Sequence, residues 1–157
     1  MKKYLLDTNI VSYLKDPYSE YYEVVGRNFL KLANDAEVCV SILTLFEVEF
    51  GLSLSSTAEV RNFMQETIYL IDTHFTVLPT TRQGAKLFGN LKVRYVKKYG
   101  MKTNIAKRDD IDLILASTAI TENAVIVSND GVFKKLQAIN PDLKHENWTL
   151  DGVTENL

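Results

Sequence analysis

Four acidic side chains, Asp7, Glu47, Asp112 and Asp130, are spread over nearly the whole of a 157-residue chain, each where an apolar run ends or a helix begins. Asp7 closes Tyr4-Leu5-Leu6, and Asp130 follows Val125-Ile126-Val127-Ser128-Asn129. Glu47 stands in Thr44-Leu45-Phe46-Glu47, and Asp112 precedes Leu113-Ile114-Leu115-Ala116. A parallel sheet that gathered those strand ends would bring the carboxylates into one pocket. Two carboxylates about 5 Å apart repel by roughly 3 kcal/mol at an effective dielectric near 20. Such a pocket needs a divalent cation, or protonation of some members. The residue types therefore point to a metal-dependent enzyme, with hard oxygen ligands suited to Mg²⁺ or Mn²⁺.

Each acid also has a purely structural reading. Asp7 can N-cap a helix starting at Thr8, although Thr8 and Asn9 could do the same. Glu47 lies three residues after Thr44, the spacing of a capping box. Asp130 can cap a helix beginning near Gly131, a task open to Ser128 and Asn129 as well. Asp112 is the most informative by periodicity, because on a helix it shares the small, apolar face of Leu115, Ala116 and Ala119. Asp110 points away from that face, and Asp109 lies near it one turn earlier. Four such positions in one small chain are hard to attribute to capping alone.

The elements needed to hold these residues alternate along the chain. Strands are expected at Lys3 to Leu6, Glu37 to Ser41, Phe75 to Leu78 and Ala124 to Val127, with an edge strand around Trp148-Thr149-Leu150. Helices are expected at Thr8 to Lys15, Tyr21 to Leu32, Thr44 to Leu54, Ala58 to Ile71, Thr81 to Tyr99, Asp109 to Glu122 and Gly131 to Ala138. This order predicts an α/β sandwich with a largely parallel central sheet and its ligand site at the strands' carboxyl ends. Phe46, Phe50, Leu54, Phe63 and Leu70 could make the third and fourth helices a hairpin that packs on a second copy.

The length suits a single domain, residues 1–157, with a sizeable core. Net charge is -2, which does not by itself suggest a nucleic-acid binder. Its distribution says more: no acid lies between Asp72 and Asp109, and that stretch holds nine of the 18 basic residues. Beside an acidic pocket such a stretch suits a phosphate backbone, with Lys97, Lys98 and Lys102 as the expected contacts. Cys39 is the only cysteine, which excludes an intrachain disulfide and a thiolate zinc cluster, and it is expected to pack in a strand. The first apolar run stops at Asp7, too short for a signal peptide, and no segment approaches a membrane span, so a cytoplasmic protein is expected. His74 and His145 are isolated, which argues against a histidine-based ribonuclease mechanism.

Taken in order, Leu5-Leu6-Asp7-Thr8-Asn9-Ile10, Ser41 through Glu47 to Gly51, Asp112 through Ala119, and Val127-Ser128-Asn129-Asp130-Gly131-Val132-Phe133 resemble the motifs of PIN-domain ribonucleases. The likeness is close to the VapC-type toxins of toxin–antitoxin modules. It implies a PIN-like three-layer α/β/α fold and endonucleolytic cleavage of RNA, often structured RNA such as tRNA. By the same resemblance Asp7, Glu47 and Asp112 form the metal-binding core and Asp130 is the fourth, more variable acid. Asn9 falls in the first motif, and Ser128 matches a small hydroxyl residue two positions before the last acid. The resemblance further implies a homodimer inhibited by a VapB-like antitoxin. The family's usual Ala-Ala pair is Ala116-Ser117 here, and Asp109 and Asp110 are extra acids.

Other readings are weaker. A phosphatase on a parallel sheet would want a second Asp two residues after the first, where this chain has Asn9. A phosphate-receiver domain would want a Lys after a late strand, and no position is compelling. A non-catalytic relative would be expected to have lost acids, and none is lost. A housekeeping RNA-processing nuclease of the same superfamily is the nearest alternative.

Overall fold

The computed structural model describes residues 1–100 and 109–151. Lys102, Lys107 and Arg108 lie outside the described residues. Five parallel strands, β1 (Lys3–Leu6), β2 (Glu37–Ser41), β3 (Thr76–Leu78), β4 (Val125–Val127) and β5 (Lys144–Glu146), form one sheet in the order β3-β2-β1-β4-β5. Register is set by Leu6 opposite both Val40 and Val127, and by Val127 opposite Glu146. The chain steps outward from β1 in both directions, so the carboxyl ends of β1 and β4 flank the crevice where a parallel sheet of this kind places its ligands.

The described helices are α1 (Thr8–Lys15), α2 (Tyr22–Leu30), α3 (Ile42–Leu54), α4 (Ala58–His74), α5 (Arg82–Tyr99), α6 (Asp110–Thr121) and α7 (Val132–Gln137). Strand residues alternate between two cores because successive side chains project to opposite faces. Leu5, Cys39 and Ile126 join the cluster under α5, α6 and α7, whereas Tyr4, Leu6, Val40, Val125 and Val127 join the one under α1 to α4. A sheet covered on both faces explains why these strands read as continuous apolar runs. Cys39 is fully buried, and burial pushes its thiol up to about 12, so it serves as packing.

One expectation is corrected. The last strand is Lys144–Glu146, not a segment around Trp148. The carbonyls of Trp148 and Leu150 instead accept from the buried Asn28 amide at 3.0 and 2.8 Å. Trp148 is fully buried against Tyr4 and Phe29, and its Nε1 donates to Glu146 Oε2 at 2.8 Å. With the Trp148 and Leu150 carbonyls taken by the Asn28 side chain rather than by a neighbouring strand, the segment adds no strand to the sheet.

Candidate active site

Asp7 follows β1 directly and is held in the sheet, its backbone N–H donating to Val127 O at 3.0 Å. Its side chain is nearly buried and uses both oxygens. Oδ1 accepts from Thr8 N at 2.7 Å, capping α1, and Oδ2 accepts from the fully buried Ser128 hydroxyl at 2.8 Å. Capping and site placement are therefore the same arrangement. Burial pushes the Asp7 carboxyl up, the hydrogen bonds from Ser128 and Thr8 pull it down, and the Glu47 and Asp130 charges push it up again.

Glu47 is not the partner of a Thr44 capping box. Helix α3 starts earlier, at Ile42, with Ser41 as its cap accepting from Leu43 N at 3.2 Å. Thr44 and Glu47 thus lie inside α3 and turn toward α1. The Thr8 hydroxyl lies 3.2 Å from Thr44 Oγ1 and donates to Glu47 Oε2. With its single proton on the carboxylate, Thr8 accepts from Thr44. That relay orients Glu47 beside Asp7, and local sequence patterns carry no trace of it.

Asp112 sits in the first turn of α6, partly exposed, with Leu113, Leu115, Ala116 and Ala119 buried around it. Its carboxyl is pushed up to about 7, first by burial, then by Asp7, Asp130, Asp109 and Glu47. The two extra acids separate cleanly. Asp110 is engaged by Lys92 Nζ at 2.8 Å and so leaves the pocket. Asp109 accepts from the buried Tyr95 hydroxyl at 2.6 Å and stays within electrostatic reach of Asp112. The Tyr95 link was invisible in sequence, because it joins α5 to α6 across 14 residues.

Asp130 is exposed, its Oδ1 accepting from Val132 N at 2.9 Å, and its own N–H donates to Ser128 Oγ at 3.0 Å. Ser128 therefore ties Asp7 to Asp130 through one hydroxyl. Behind it, His145 Nε2 lies 2.8 Å from Ser128 O and stacks on Phe133, and burial lowers its pKa. Asn9 is exposed on the first turn of α1. Lys97 and Lys98 are exposed at the end of α5, where Lys98 Nζ reaches Ala138 O at 3.5 Å. Lys102 falls outside the described residues.

The structure thus brings these acids together, with Glu47 and Asp130 near enough to Asp7 and Asp112 to raise the proton affinity of those two. Among the described residues, no three His, Cys, Asp or Glu side chains stand in metal-holding geometry. Asp7, Glu47 and Asp130 are instead satisfied singly by Ser128, Thr8 and backbone N–H groups. The donor set nonetheless fits a hard divalent cation: all oxygen, anionic, and crowded by like charge that a cation would offset.

The PIN domain family profile matches residues 4–139. The chain is similar to Ribonuclease VapC2 of Rickettsia felis, 30% identical over 145 residues, spanning 92% of this chain and 97% of that protein. It is also similar to Ribonuclease VapC2 of Haemophilus influenzae, 29% identical and spanning 94% and 99%. The structure of VapBC2 from Rickettsia felis bound to a DNA fragment from its promoter matches with a TM-score of 0.71 at 26% identity, over 93% of this chain and 98% of that one. VapBC-1 from nontypeable Haemophilus influenzae shares the fold, with a TM-score of 0.69 at 23% identity over 94% and 99%.

Proposed function

The chain belongs to the PIN-domain family, and from that premise we propose that it is a Mg²⁺- or Mn²⁺-dependent endoribonuclease, the toxin half of a toxin–antitoxin pair. It acts as one nuclease domain over residues 1–157 in the cytoplasm, and among the described residues no helix is long and apolar enough to cross a membrane. The observation that carries this reading is the gathering of four carboxylates, Asp7 and Asp130 after β1 and β4, Glu47 on α3 and Asp112 on α6, with Asp112 pushed up to about 7 by burial and then by its acidic neighbours. Asp7, Glu47, Asp112 and Asp130 would hold the ion. When bound, it supplies a nucleophilic water at neutral pH and offsets charge on the attacking and leaving oxygens of the phosphodiester.

The remaining work belongs to the chain. Ser128 and Thr8 aim the Asp7 and Glu47 oxygens, and Lys97, Lys98 and Lys102 hold the RNA backbone, tRNA being one candidate substrate. Asn9, exposed on the first turn of α1, is a supporting residue of the site. The similarity to VapC ribonucleases supports a toxin over a housekeeping RNA-processing enzyme. Cleavage of an end-labelled RNA in Mg²⁺, and its loss in EDTA, tests the reading. A metal-independent activity would overturn it.

Ser128→Ala removes the proton donor to Asp7 and the acceptor for Asp130 N, leaving the buried Asp7 oxygen unsatisfied. Loss of such an orienting partner costs about tenfold or more in activity. Steady-state cleavage rates check this, and a rate within twofold of wild type would remove Ser128 from the site.

Phe46, Phe50 and Leu54 form a stripe on α3, each about two-thirds exposed, on the helix that pairs with α4. At this spacing the three share one face, which supports a homodimer built on it. Phe50→Glu is expected to weaken self-association at least tenfold in analytical ultracentrifugation while leaving the melting temperature nearly unchanged. An unaltered dimer would place the interface elsewhere. For the antitoxin, a groove of about 540 Å³ lined by Leu14, Phe29, Leu30, Leu70 and Phe75, with Lys15, Glu23 and Arg27 among its other walls, supports docking of an amphipathic helix.

A further inference from the structure

The end of α5 and the end of α7 meet in a cluster that the acidic site leaves unused. Tyr99 is 40% exposed, yet its hydroxyl donates to Lys135 O at 3.3 Å, which fixes the ring. Lys98 Nζ and Lys135 Nζ each lie 5.7 Å from the ring centroid. Beside it Arg94, Lys97, Lys98, Ala138 and Ile139 line a shallow cavity of about 340 Å³. Arg94 and Lys98 donate to the carbonyls of Ile139 and Ala138, so part of this charge closes the end of α7. Lys97 is exposed at that cavity, and Lys134 and Lys135 are exposed on α7.

The cluster is continuous with the acids. Tyr99 packs on Tyr95 at 5.1 Å between centroids, and Tyr95 holds Asp109 beside Asp112. On the other side Asp130 accepts from Val132 N at the start of α7, and Lys135 lies three residues, or about 5 Å along the helix axis, beyond Val132. One extended polyanion can therefore lie across both regions.

We propose that Tyr99 is a stacking platform for an unpaired RNA base next to the scissile phosphodiester, with Lys97, Lys134 and Lys135 contacting the flanking phosphates. This rests on the ribonuclease reading and adds to it a preference for single-stranded RNA at this position. An aromatic ring accepts any base on its face, and a ring already fixed by its hydroxyl loses little freedom on binding. Surrounding cations supply affinity without sequence preference. An acidic protein partner would use the lysines and gain nothing from a stacked base, which separates the two chemistries.

The test is equilibrium binding of a fluorescent single-stranded RNA to the whole protein in EDTA, so that the RNA stays intact. A matched oligonucleotide lacking bases serves as the second probe. Wild type is expected to bind the intact RNA about tenfold more tightly than the abasic one. Tyr99→Ala should abolish that difference, Tyr99→Trp should keep it, and neither should change the salt slope. Lys97→Ala, Lys134→Ala and Lys135→Ala together should lower the magnitude of the salt slope by about 2, at roughly 0.7 per phosphate contact. If wild type binds both probes equally, or Tyr99→Ala keeps the difference, the platform is wrong whether or not that variant is well folded. If an acidic peptide binds while RNA does not, the proposal is likewise overturned. Cleavage of RNA by wild type in Mg²⁺, run in parallel, separates the outcomes: a cleaving enzyme indifferent to Tyr99 sinks only the platform, and an inactive one sinks the ribonuclease reading itself.

Discussion

Asp7→Asn and Asp112→Asn are each expected to lower RNA cleavage by at least about a thousandfold, roughly 4 kcal/mol in the transition state. Asparagine keeps the shape of the side chain and one carbonyl oxygen, so the packing of β1 and α6 survives. What would disappear is a full negative charge from the proposed ion-holding set, and with it part of the balance that would favour a cation. At Asp7 the substitution has a second consequence. Oδ1 accepts from Thr8 N and Oδ2 from the Ser128 hydroxyl, so the amide must keep its oxygen toward Thr8 N and donate from its nitrogen to Ser128 Oγ. That reversal leaves the buried Ser128 proton without its acceptor, which costs stability of about 1–3 kcal/mol. Circular dichroism should show a folded protein for both variants. Wild-type cleavage by either in Mg²⁺ would mean that the site is wrongly placed.

The second large effect concerns stability, and its sign is opposite. Asp112 holds its proton up to about 7 in the folded chain, against 3.8 for an unperturbed carboxyl. Between those values the folded state binds more protons than the unfolded one, so stability falls as pH rises from about 4 to 7. The full difference corresponds to about 4 kcal/mol, and the partial exposure of Asp112 discounts it to about 2 kcal/mol. In EDTA, Asp112→Asn should therefore be more stable than wild type by about 2 kcal/mol at pH 8, or about 4–8 °C in melting temperature. The gap should close by about pH 4. Mg²⁺ should narrow it at pH 8 by stabilising wild type more than the variant. Thermal melts across pH would expose an error directly: equal stability at pH 8 in EDTA means that the four charges do not burden the fold. Because His145 titrates oppositely, losing stability as pH falls below about 6.5, the variant must be compared with wild type at each pH.

Together these effects describe a site that trades fold stability for function. On the proposed reading, crowded acids would strain the protein without its ion and favour a cation. The individual hydrogen bonds from Thr8, Ser128 and Val132 N limit that strain without removing it.

Much of this was already readable from residue order. Apolar runs of four or five residues alternating with amphipathic stretches specify parallel strands and crossover helices, because a sheet covered on both faces permits no polar alternation. Asp7 and Asp130 stood out at the ends of such runs, and Asp112 by its place on the small, apolar face of a helix with Leu115, Ala116 and Ala119. The segment around Trp148 was misread because a tryptophan flanked by Thr and Leu has the local composition of a strand. Its actual state depends on the Asn28 amide and the Glu146 carboxylate, 120 and two residues away. Glu47 was placed by motif alone. The true start of α3 at Ile42 and the hydroxyl relay through Thr8 and Thr44 are contacts between separate helices. Helical periodicity already set Asp110 away from the Asp112 face and Asp109 near it, but the partners that hold them there, Lys92 and Tyr95 of α5, come from another helix. Periodicity and residue chemistry act over a few neighbours, so they determined the elements and the acidic character of the site. Hydrogen bonds and charge pairing between distant segments exist only after the helices dock, so orientation, proton affinity and the division of labour among the acids were decided by the tertiary structure.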